Sequence, residues 1–337
     1  MTTQRQIGGR TSAATFALRF LPLIEVEPNS ENLGAQSDSA RCSLKSGIEI
    51  AAYKCGVFVF DCTKWALGAE VAIPKMIIED GKAWPRELVA AQDKAIEHVV
   101  NRVRMANCFL ACLSHALSRV QGTALGIGQE VDPSNYIPFA INGCHPFALL
   151  APEVEIALQQ LGNQRPNGNP TLKFKFDTIK SACDTLDKII ANAEATNVVD
   201  LYYKACYRYT LHDHALSATI AWTVCEKAIN MLWRQYLESI KAMDLEPIRM
   251  KGERLKKLIG RDYTASIVTE NLELLKIIDQ EIYAELNSAR QVRNGWMHSL
   301  KGVGNREASQ ALTTAYKMIK MVYEIDVQVS LSQSMSY

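Results

Sequence analysis

The chain of 337 residues is long enough for two domains of ordinary size. Hydrophobic residues make up 48% of it and charged residues 22%, which is the composition of a globular protein and excludes an intrinsically disordered chain. The formal net charge of +1 excludes a global basic field that would attract a polyanion. Any contact with nucleic acid therefore has to come from a local patch of charge.

Nine cysteines are scattered along the chain without the two-residue spacing of zinc sites. Cys108 and Cys112 lie four residues apart in a helical pattern, and we interpret them as small core residues. The set predicts a reducing, cytoplasmic environment. The first ten residues carry no signal-peptide pattern, and no apolar run approaches the roughly 18 residues that a spanning helix requires. We therefore expect no contact with a membrane.

β-Branched and alternating residues in the N-terminal half predict four strands, at 15–26, 48–53, 56–61 and 71–78. Pro74 confines the last of them to the edge of a sheet. The segment 28–46 is rich in Ser, Asn and Gly and predicts a loop. After Trp84-Pro85 apolar residues recur at three- and four-residue steps, which predicts one long amphipathic helix near 86–121. A short helix is expected at 152–161.

The segment 162–170 has no large apolar side chain outside its prolines, and we place a domain boundary there. Helical periodicity follows it, near 174–194, 198–209, 213–241, 252–260, 267–297 and 306–327. We therefore predict an α+β protein, with a mixed α/β domain at 1–170 and an all-α helical bundle at 171–337. The first domain has no phosphate-loop, nucleophile-elbow or paired-carboxylate pattern, so its role stays open.

The apolar stripe of the helix predicted near 267–297 continues onto an arginine. Its members are Leu275, Ile278, Ile282, Leu286, Ala289, Arg293 and Trp296. A guanidinium on the inward side of a helix requires a counter-charge or a ligand. Arg293 is therefore a candidate functional residue.

His298 follows Arg293 by five residues, and five steps of an ideal helix turn through roughly 500°, which leaves the two side chains about 140° apart. Two arrangements would let both reach one phosphate. In the first, Gly295 loosens or ends the helix between them, since glycine costs about 1 kcal/mol in a helix interior. In the second, another copy of the same segment completes the site.

The segment 293–298, Arg-Asn-Gly-Trp-Met-His, resembles the Arg-x4-His motif of HEPN domains, including the polar residue after the arginine. The stretch 201–209, LYYKACYRY, resembles the first helix of that family, and 221–233, AWTVCEKAINMLW, resembles its long second helix with an internal glutamate. The resemblance covers about 195–330. It implies a HEPN-like bundle that acts on RNA as a metal-independent endoribonuclease without a cofactor. It also implies a homodimer in which two copies of the motif line one cleft.

The resemblance implies a role for each of three residues. His298 serves as base or acid when a 2′-hydroxyl attacks the adjacent phosphate, since the reference pKa of histidine is about 6.5. Arg293 holds the phosphate and stabilises its developing charge. Asn294 orients the phosphate or the imidazole. Such enzymes often belong to toxin, antiviral defence or RNA-processing systems, in which the N-terminal domain would recognise a trigger, a partner or the substrate.

A non-catalytic role is the alternative for the same segment. Arg293 then forms an ion pair at an interface, and His298 caps the C-terminus of its helix, where the dipole favours a cation. On this interpretation the bundle is a HEPN-type adaptor that only dimerises or binds a nucleotide.

Two further groups are candidates in the predicted bundle. Glu226 shares a helical face with Trp222 and Trp233. It either positions Arg293, acts as a second acid or base, or is an ordinary surface glutamate. The run His212-Asp213-His214 is typical of a metal or proton-relay site, but Asp213 is also a favourable helix N-cap, and we predict the capping role.

One cluster of cations stands out in a chain of nearly zero net charge. Its members are Arg249, Lys251, Arg254, Lys256, Lys257 and Arg261. These side chains are predicted to contact RNA phosphates, which would make RNA affinity depend on salt. The alternative is the solvated face of a short helix.

Overall fold

A computed structural model shows an α+β fold, which confirms the predicted class. The residues that the structure describes are 4–7, 15–19, 24–26, 38–53, 57–72, 74, 76–79, 85–122, 130–132, 137–139, 172–243, 252–260 and 263–331. The helix expected at 152–161 lies outside them. The chain divides into two compact units. Unit 1 is Met1–Thr123 with Gly128–Ala191, and unit 2 is Ala124–Ile127 with Asn192–Tyr337.

Short strands and two long helices make up the described part of unit 1. The strands are β1 (Gln4–Ile7), β2 (Thr15–Arg19), β3 (Ile24–Val26), β4 (Asp38–Ser43), β5 (Glu49–Tyr53), β6 (Val57–Asp61), β7 (Met76–Glu79), β8 (Ile137–Phe139) and β9 (Leu172–Phe174). The helices are α1 (Arg86–Ala116), which runs into a π-turn at Leu117–Gln121, and α2 (Phe176–Ile190). An antiparallel sheet has the strand order β4, β5, β6, β2, β8. Separately, β1 pairs with β7 and β3 with β9.

The core of unit 1 forms where one face of this sheet meets α1. Alternate residues of a strand point to the same face, and on β6 the buried pair is Phe58 and Phe60. The centroids of these two rings lie 5.3 and 5.2 Å from that of Phe109 on α1. Their partners on β5, Ala52 and Ile50, are buried as well. Aromatic contacts therefore fix the sheet against the helix.

Most of the predicted strands are found, with altered bounds. The strands at 48–53 and 56–61 are confirmed as β5 and β6. The strand predicted at 15–26 is divided into β2 and β3, and the one predicted at 71–78 is β7, which begins after Pro74. The long helix predicted near 86–121 is α1 with its π-turn, and both Cys108 and Cys112 are fully buried in it.

The loop predicted at 28–46 is wrong in part, because it contains the strand β4. β4 lies at the edge of the sheet, next to β5. An edge strand has a solvated side and does not need a continuous apolar run. The sequence of β4 is accordingly polar. Among its residues whose burial the structure describes, Ala40 is the only apolar one that is buried.

The boundary between the units differs from the predicted boundary at 170. The chain passes from unit 1 to unit 2 between Ala191 and Asn192, so α2, predicted as part of the helical bundle, belongs to unit 1. α2 packs against α1 through buried residues that include Ile179, Ala182 and Leu186. A helical pattern does not reveal which of two cores its apolar face joins, and this explains the difference.

Unit 2 is a helical bundle. Its described helices are α3 (Ala193–Thr210), α4 (His214–Met243), α5 (Gly252–Leu258), α6 (Ala265–Leu274), α7 (Gln280–Ser299) and α8 (Asn305–Tyr323). α4 packs against α3, α6, α7 and α8, which makes it the central helix. Its buried residues include Ala218, Ala221 and Ala228, whose short side chains allow neighbouring helices to approach closely.

The helix predicted at 267–297 is wrong in length, because it is two helices, α6 and α7, separated by a turn at 275–279. Lys276 in that turn has a φ of 57°, in the left-handed region. Asp279 caps α7 by accepting a hydrogen bond from the N–H of Ile282 at 2.8 Å. The turn contains neither glycine nor proline, and its apolar residues keep helical spacing, so the sequence pattern gives no sign of it.

The last helix also differs from the predicted 306–327. Its first residue is Asn305, and the N–H of Gly304 donates to Oε2 of Glu307 at 2.8 Å. The helix stops before Glu324, which has a φ of 56°. Alternate residues of the segment that follows are buried, namely Ile325, Val327 and Val329. An extended segment places alternate side chains on one face, whereas a helix does not. Burial of these three residues therefore requires an extended backbone after Glu324.

An ion-pair cluster fixes α7 against α8. Lys317 Nζ of α8 donates to Glu285 Oε1 at 2.7 Å and to Glu281 Oε1 at 3.0 Å, one helical turn apart on α7. These hydrogen bonds raise the pKa of Lys317, and the bond with Glu285 contributes more than the bond with Glu281. The Glu285 side chain is 19% exposed and that of Glu281 74%. The pair with Glu285 therefore contributes more to stability, because water screens it less.

We expect Lys317→Met to lower the free energy of unfolding by about 1–3 kcal/mol, because the half-buried carboxylate of Glu285 loses its cation. Urea denaturation followed by circular dichroism measures the change. In the control Lys320→Met, the lost partner Asp326 is 38% exposed, so the loss of stability should be clearly smaller. Equal losses in the two variants would contradict the assignment. Because the pKa of Lys317 is raised, its contribution should persist through neutral pH and disappear only above that raised pKa.

Candidate active site

The Arg-x4-His segment lies in the last turns of α7, which stays helical through all of it. Two backbone hydrogen bonds end the helix. The N–H of Leu300 donates to the carbonyl of Trp296 at 2.9 Å, and that of Lys301 donates to the carbonyl of Gly295 at 3.2 Å. Leu300 has a φ of 50°, and its bond to Trp296 is that of the αL motif that ends many helices. The helix thus ends after Ser299, and the alternative in which Gly295 loosens it is wrong.

Two of the three candidate catalytic residues are in contact. Arg293 is half-buried, and its Nη1 donates to Oδ1 of Asn294 at 3.0 Å. His298 is exposed. On a continuous helix the side chains of Arg293 and His298 leave about 140° apart. The fold therefore joins Arg293 to Asn294 but does not bring His298 to them within one chain.

The apolar stripe of α7 emerges from the bundle at this segment. Ile282, Leu286 and Ala289 are buried, whereas Arg293 and Trp296 further along the stripe are half-buried. Among the residues that the structure describes, no carboxylate forms an ion pair with Arg293. Its guanidinium therefore keeps donors for a ligand or for a second chain.

Glu226 forms no ion pair with Arg293 among the described residues, and its predicted role in positioning that arginine stays a prediction. Glu226 lines a pocket together with Trp233.

One end of the bundle gathers four helix ends. The hydroxyl of Tyr209, near the end of α3, donates to Oδ1 of Asn305, the first residue of α8. α4 begins just after α3 ends, and α7 ends just before α8 begins. We refer to residues 208–216 and 293–306 together as the motif end. Tyr209 and Asn305 are 96 residues apart, and no local pattern in the sequence indicates their contact.

The His212-Asp213-His214 run lies at the motif end. Oδ1 of Asp213 accepts a hydrogen bond from the N–H of Leu216 at 3.1 Å, which confirms that Asp213 caps α4. The ring centroid of His214 lies 5.3 Å from that of Tyr209 and 5.9 Å from that of His212. In the described ranges, no group of three His, Cys, Asp or Glu side chains is placed to hold a metal ion.

Large apolar side chains are exposed at the motif end. Leu300 is 75% exposed and Met297 51%, and these two residues flank His298. From the junction of α3 and α4, Leu211 and Leu216 are exposed as well. Apolar side chains exposed together are typical of a surface that contacts another molecule.

The predicted cationic cluster is described only in part. Arg254, Lys256 and Lys257 lie on α5 and are exposed, and Lys256 pairs with Glu253 at 3.2 Å. The other predicted members, Arg249, Lys251 and Arg261, lie outside the described residues. α5 thus presents a solvated, positively charged face, which both interpretations of the cluster require.

No protein-family model, no curated protein and no solved structure matches the chain. The resemblance of residues 293–298 to the HEPN motif therefore depends on the residues themselves. Across the described helices, none is both long enough and apolar enough to span a lipid bilayer.

We expect Leu300→Gly to raise the free energy of unfolding by about 1 kcal/mol. Leu300 has a φ of 50°, a conformation that costs a leucine roughly 1–2 kcal/mol and that glycine adopts freely. Urea denaturation at a protein concentration that keeps the chain monomeric measures the change. The control Ser299→Gly places glycine at the last helical position and should lower stability by about 0.5 kcal/mol. Destabilisation by Leu300→Gly would contradict the observed helix end.

Proposed function

We propose that this protein is a metal-independent endoribonuclease whose active site combines the α7 ends of two copies of the chain. One observation carries the proposal: Arg293 and His298 leave an unbroken helix on faces about 140° apart. A single copy presents only one of these side chains to a given phosphate. In a two-fold symmetric dimer the second copy presents the other.

The chemistry uses an acid, a base and a cation. A neutral His298 accepts the proton of a 2′-hydroxyl, whose oxygen attacks the adjacent phosphorus. The bond from phosphorus to the 5′-oxygen breaks, a 2′,3′-cyclic phosphate forms, and the 5′-oxygen takes up the proton that His298 has accepted. Arg293 donates to the non-bridging oxygens as their charge grows. Asn294, bonded to Arg293 at 3.0 Å, holds the guanidinium in place.

The surface around His298 supports association of two copies. Met297 and Leu300 are exposed on either side of it. Burial of such side chains favours association, since apolar surface leaves water. A two-fold interface brings the same patch of both copies together, so the two His298 side chains approach each other.

The setting of the enzyme follows from the same proposal. Unit 1 recognises a trigger, a partner or the substrate, and the exposed cations of α5 contact RNA phosphates. The nuclease belongs to a toxin, antiviral defence or RNA-processing system in the cytoplasm. The assignment to such systems is by analogy with HEPN enzymes.

Purified protein should cleave total RNA in the presence of EDTA. We expect Arg293→Ala and His298→Ala each to reduce the rate by at least about 100-fold, because each removes a group needed in the transition state. Arg119→Ala, which changes an exposed arginine of unit 1, is the control and should cleave at the wild-type rate. Folded dimers that cleave no RNA would favour the adaptor, and full activity in either motif variant would exclude the proposed site.

A mixture of the two inactive variants tests whether the site is shared. In a heterodimer of Arg293→Ala and His298→Ala chains, one site keeps Arg293 from one chain and His298 from the other. After subunit exchange in an equal mixture, we expect about a quarter of the wild-type cleavage rate, since half of the dimers carry one intact site of two. A gel assay of a labelled RNA measures the rate. No recovery in a mixture shown to exchange subunits would contradict a shared site.

A substitution at Gly295 should have opposite effects on the stability of the single chain and on dimerisation. A Cβ at this position would meet only Lys301 among the described residues, at 3.7 and 3.8 Å, which is ordinary contact. Gly295→Ala should therefore stabilise the isolated chain by about 1 kcal/mol. In the dimer the added methyl group occupies space between facing helices, and we expect dimerisation to weaken by about tenfold or more.

Sedimentation velocity over a concentration series gives the dimerisation constant, and urea denaturation gives the stability. Ser288→Ala on the same helix is the control and should leave dimerisation unchanged. If Gly295→Ala dimerises as tightly as wild type, the two helices do not meet at this residue.

A further inference from the structure

A pocket of about 420 Å³ opens between α4, α5 and the start of α6. This volume falls within the roughly 300–1,000 Å³ of small-molecule sites. Three polar residues of α4 line it at four-residue spacing, Glu226, Asn230 and Arg234. Residues four apart lie on one helical face, so the three form a continuous polar strip along one wall. The strip leads away from the motif end.

An aromatic pair forms another part of the lining. The rings of Trp233 and Tyr263 are stacked, with centroids 5.4 Å apart and planes inclined by 14°. Nε1 of Trp233 donates to the carbonyl of Leu258 at 2.9 Å, which fixes the indole. Trp233 is 6% exposed, and Tyr263 is half-buried. The stacked indole holds the ring of Tyr263 in place. The ring of Tyr263 is therefore a surface on which a planar ligand can stack.

The charges of the pocket are arranged unevenly. Glu226 is half-buried and Arg234 is exposed, and within the described part of the chain neither forms an ion pair. The exposed cations Arg254 and Lys257 lie on α5, the helix whose last residue, Leu258, lines the pocket. A negative acceptor, Glu226, thus lies in the wall, and the cation Arg234 lies on the same polar strip.

This distribution selects a class of ligand. A flat ring with N–H donors fits the carboxylate of Glu226, which only accepts hydrogen bonds, and it stacks on an aromatic side chain. An anionic group on the same ligand fits the guanidinium of Arg234. Nucleotides combine both features. Among the RNA bases, guanine alone offers two adjacent donor nitrogens, N1 and N2, to one carboxylate.

We propose that this pocket binds the guanine base of a nucleotide, with Glu226 accepting from N1 and N2 and Arg234 contacting the phosphate. The guanosine belongs to single-stranded RNA, for which the pocket is a base-selecting site at a distance from the cleavage site. This assignment of the source rests on the proposed function, whereas guanine binding itself does not.

Isothermal titration calorimetry of the full chain with 5′-GMP and 5′-AMP tests the pocket. We expect the wild type to bind GMP at least about tenfold more tightly than AMP, as one bidentate base contact allows. Glu226→Gln should remove this preference and leave AMP binding unchanged. The control Glu238→Gln changes an exposed glutamate of the same helix outside the pocket and should keep the preference.

A second variant separates base recognition from phosphate binding. Arg234→Ala should weaken GMP and AMP equally and reduce the salt dependence of both. Circular dichroism establishes that each variant is folded. Equal affinity of the wild type for GMP and AMP, or an equal effect of Glu226→Gln and Glu238→Gln, would overturn the assignment of the pocket as a guanine site.

The source of the guanosine is tested in the His298→Ala background, which prevents cleavage under the proposed function. A short oligouridylate with one guanosine should bind more tightly than either GMP or the all-uridine oligomer. Binding no tighter than that of GMP would overturn the RNA source and assign the pocket to a free nucleotide. Because mononucleotide binding requires no cleavage, a protein that binds GMP but cleaves no RNA would overturn the proposed function alone.

Discussion

The angular step of the α-helix constrains what the Arg-x4-His segment does. α7 is held at both ends, by the side chain of Asp279 at its start and by the backbone bonds of Leu300 and Lys301 at its end. Its winding stays regular between them, and the side chains of Arg293 and His298 diverge. In the proposed nuclease the need for a second chain follows from this regularity. A kinked or frayed helix would allow a site within one chain.

Axial position within the bundle separates two chemistries on one scaffold. The ion pairs of Lys317 with Glu281 and Glu285 hold α7 at a fixed level against α8. The motif lies near the start of α4. Glu226 lies further along α4, in the pocket lined by Trp233 and Tyr263. Glu226, although it belongs to the same bundle as the motif, thus lines a different surface. In our proposals one surface cleaves RNA and the other selects the base.

Sequence periodicity predicted α1, α4 and most of α8, because an apolar stripe that lasts many turns is a strong signal. It failed at the turn before α7, where Lys276 takes a left-handed conformation without a glycine or proline to indicate it. For the candidate site, spacing alone gave the divergence of Arg293 and His298. The true neighbours of Glu226 depend on how far one helix is shifted along another, and no local pattern encodes that shift. The contact of Tyr209 with Asn305 is hidden for the same reason.

The buried segment after α8 affects the order in which the second unit folds. The N–H of Val329 reaches the hydroxyl of Tyr202 at 3.5 Å, across 127 residues of chain. Contacts between residues so distant in sequence form late, since a long loop must close first. During synthesis on the ribosome, the contact of Tyr202 with Val329 therefore forms only after almost the whole of unit 2 has emerged. The core of the bundle is complete once the segment after α8 has packed onto α3.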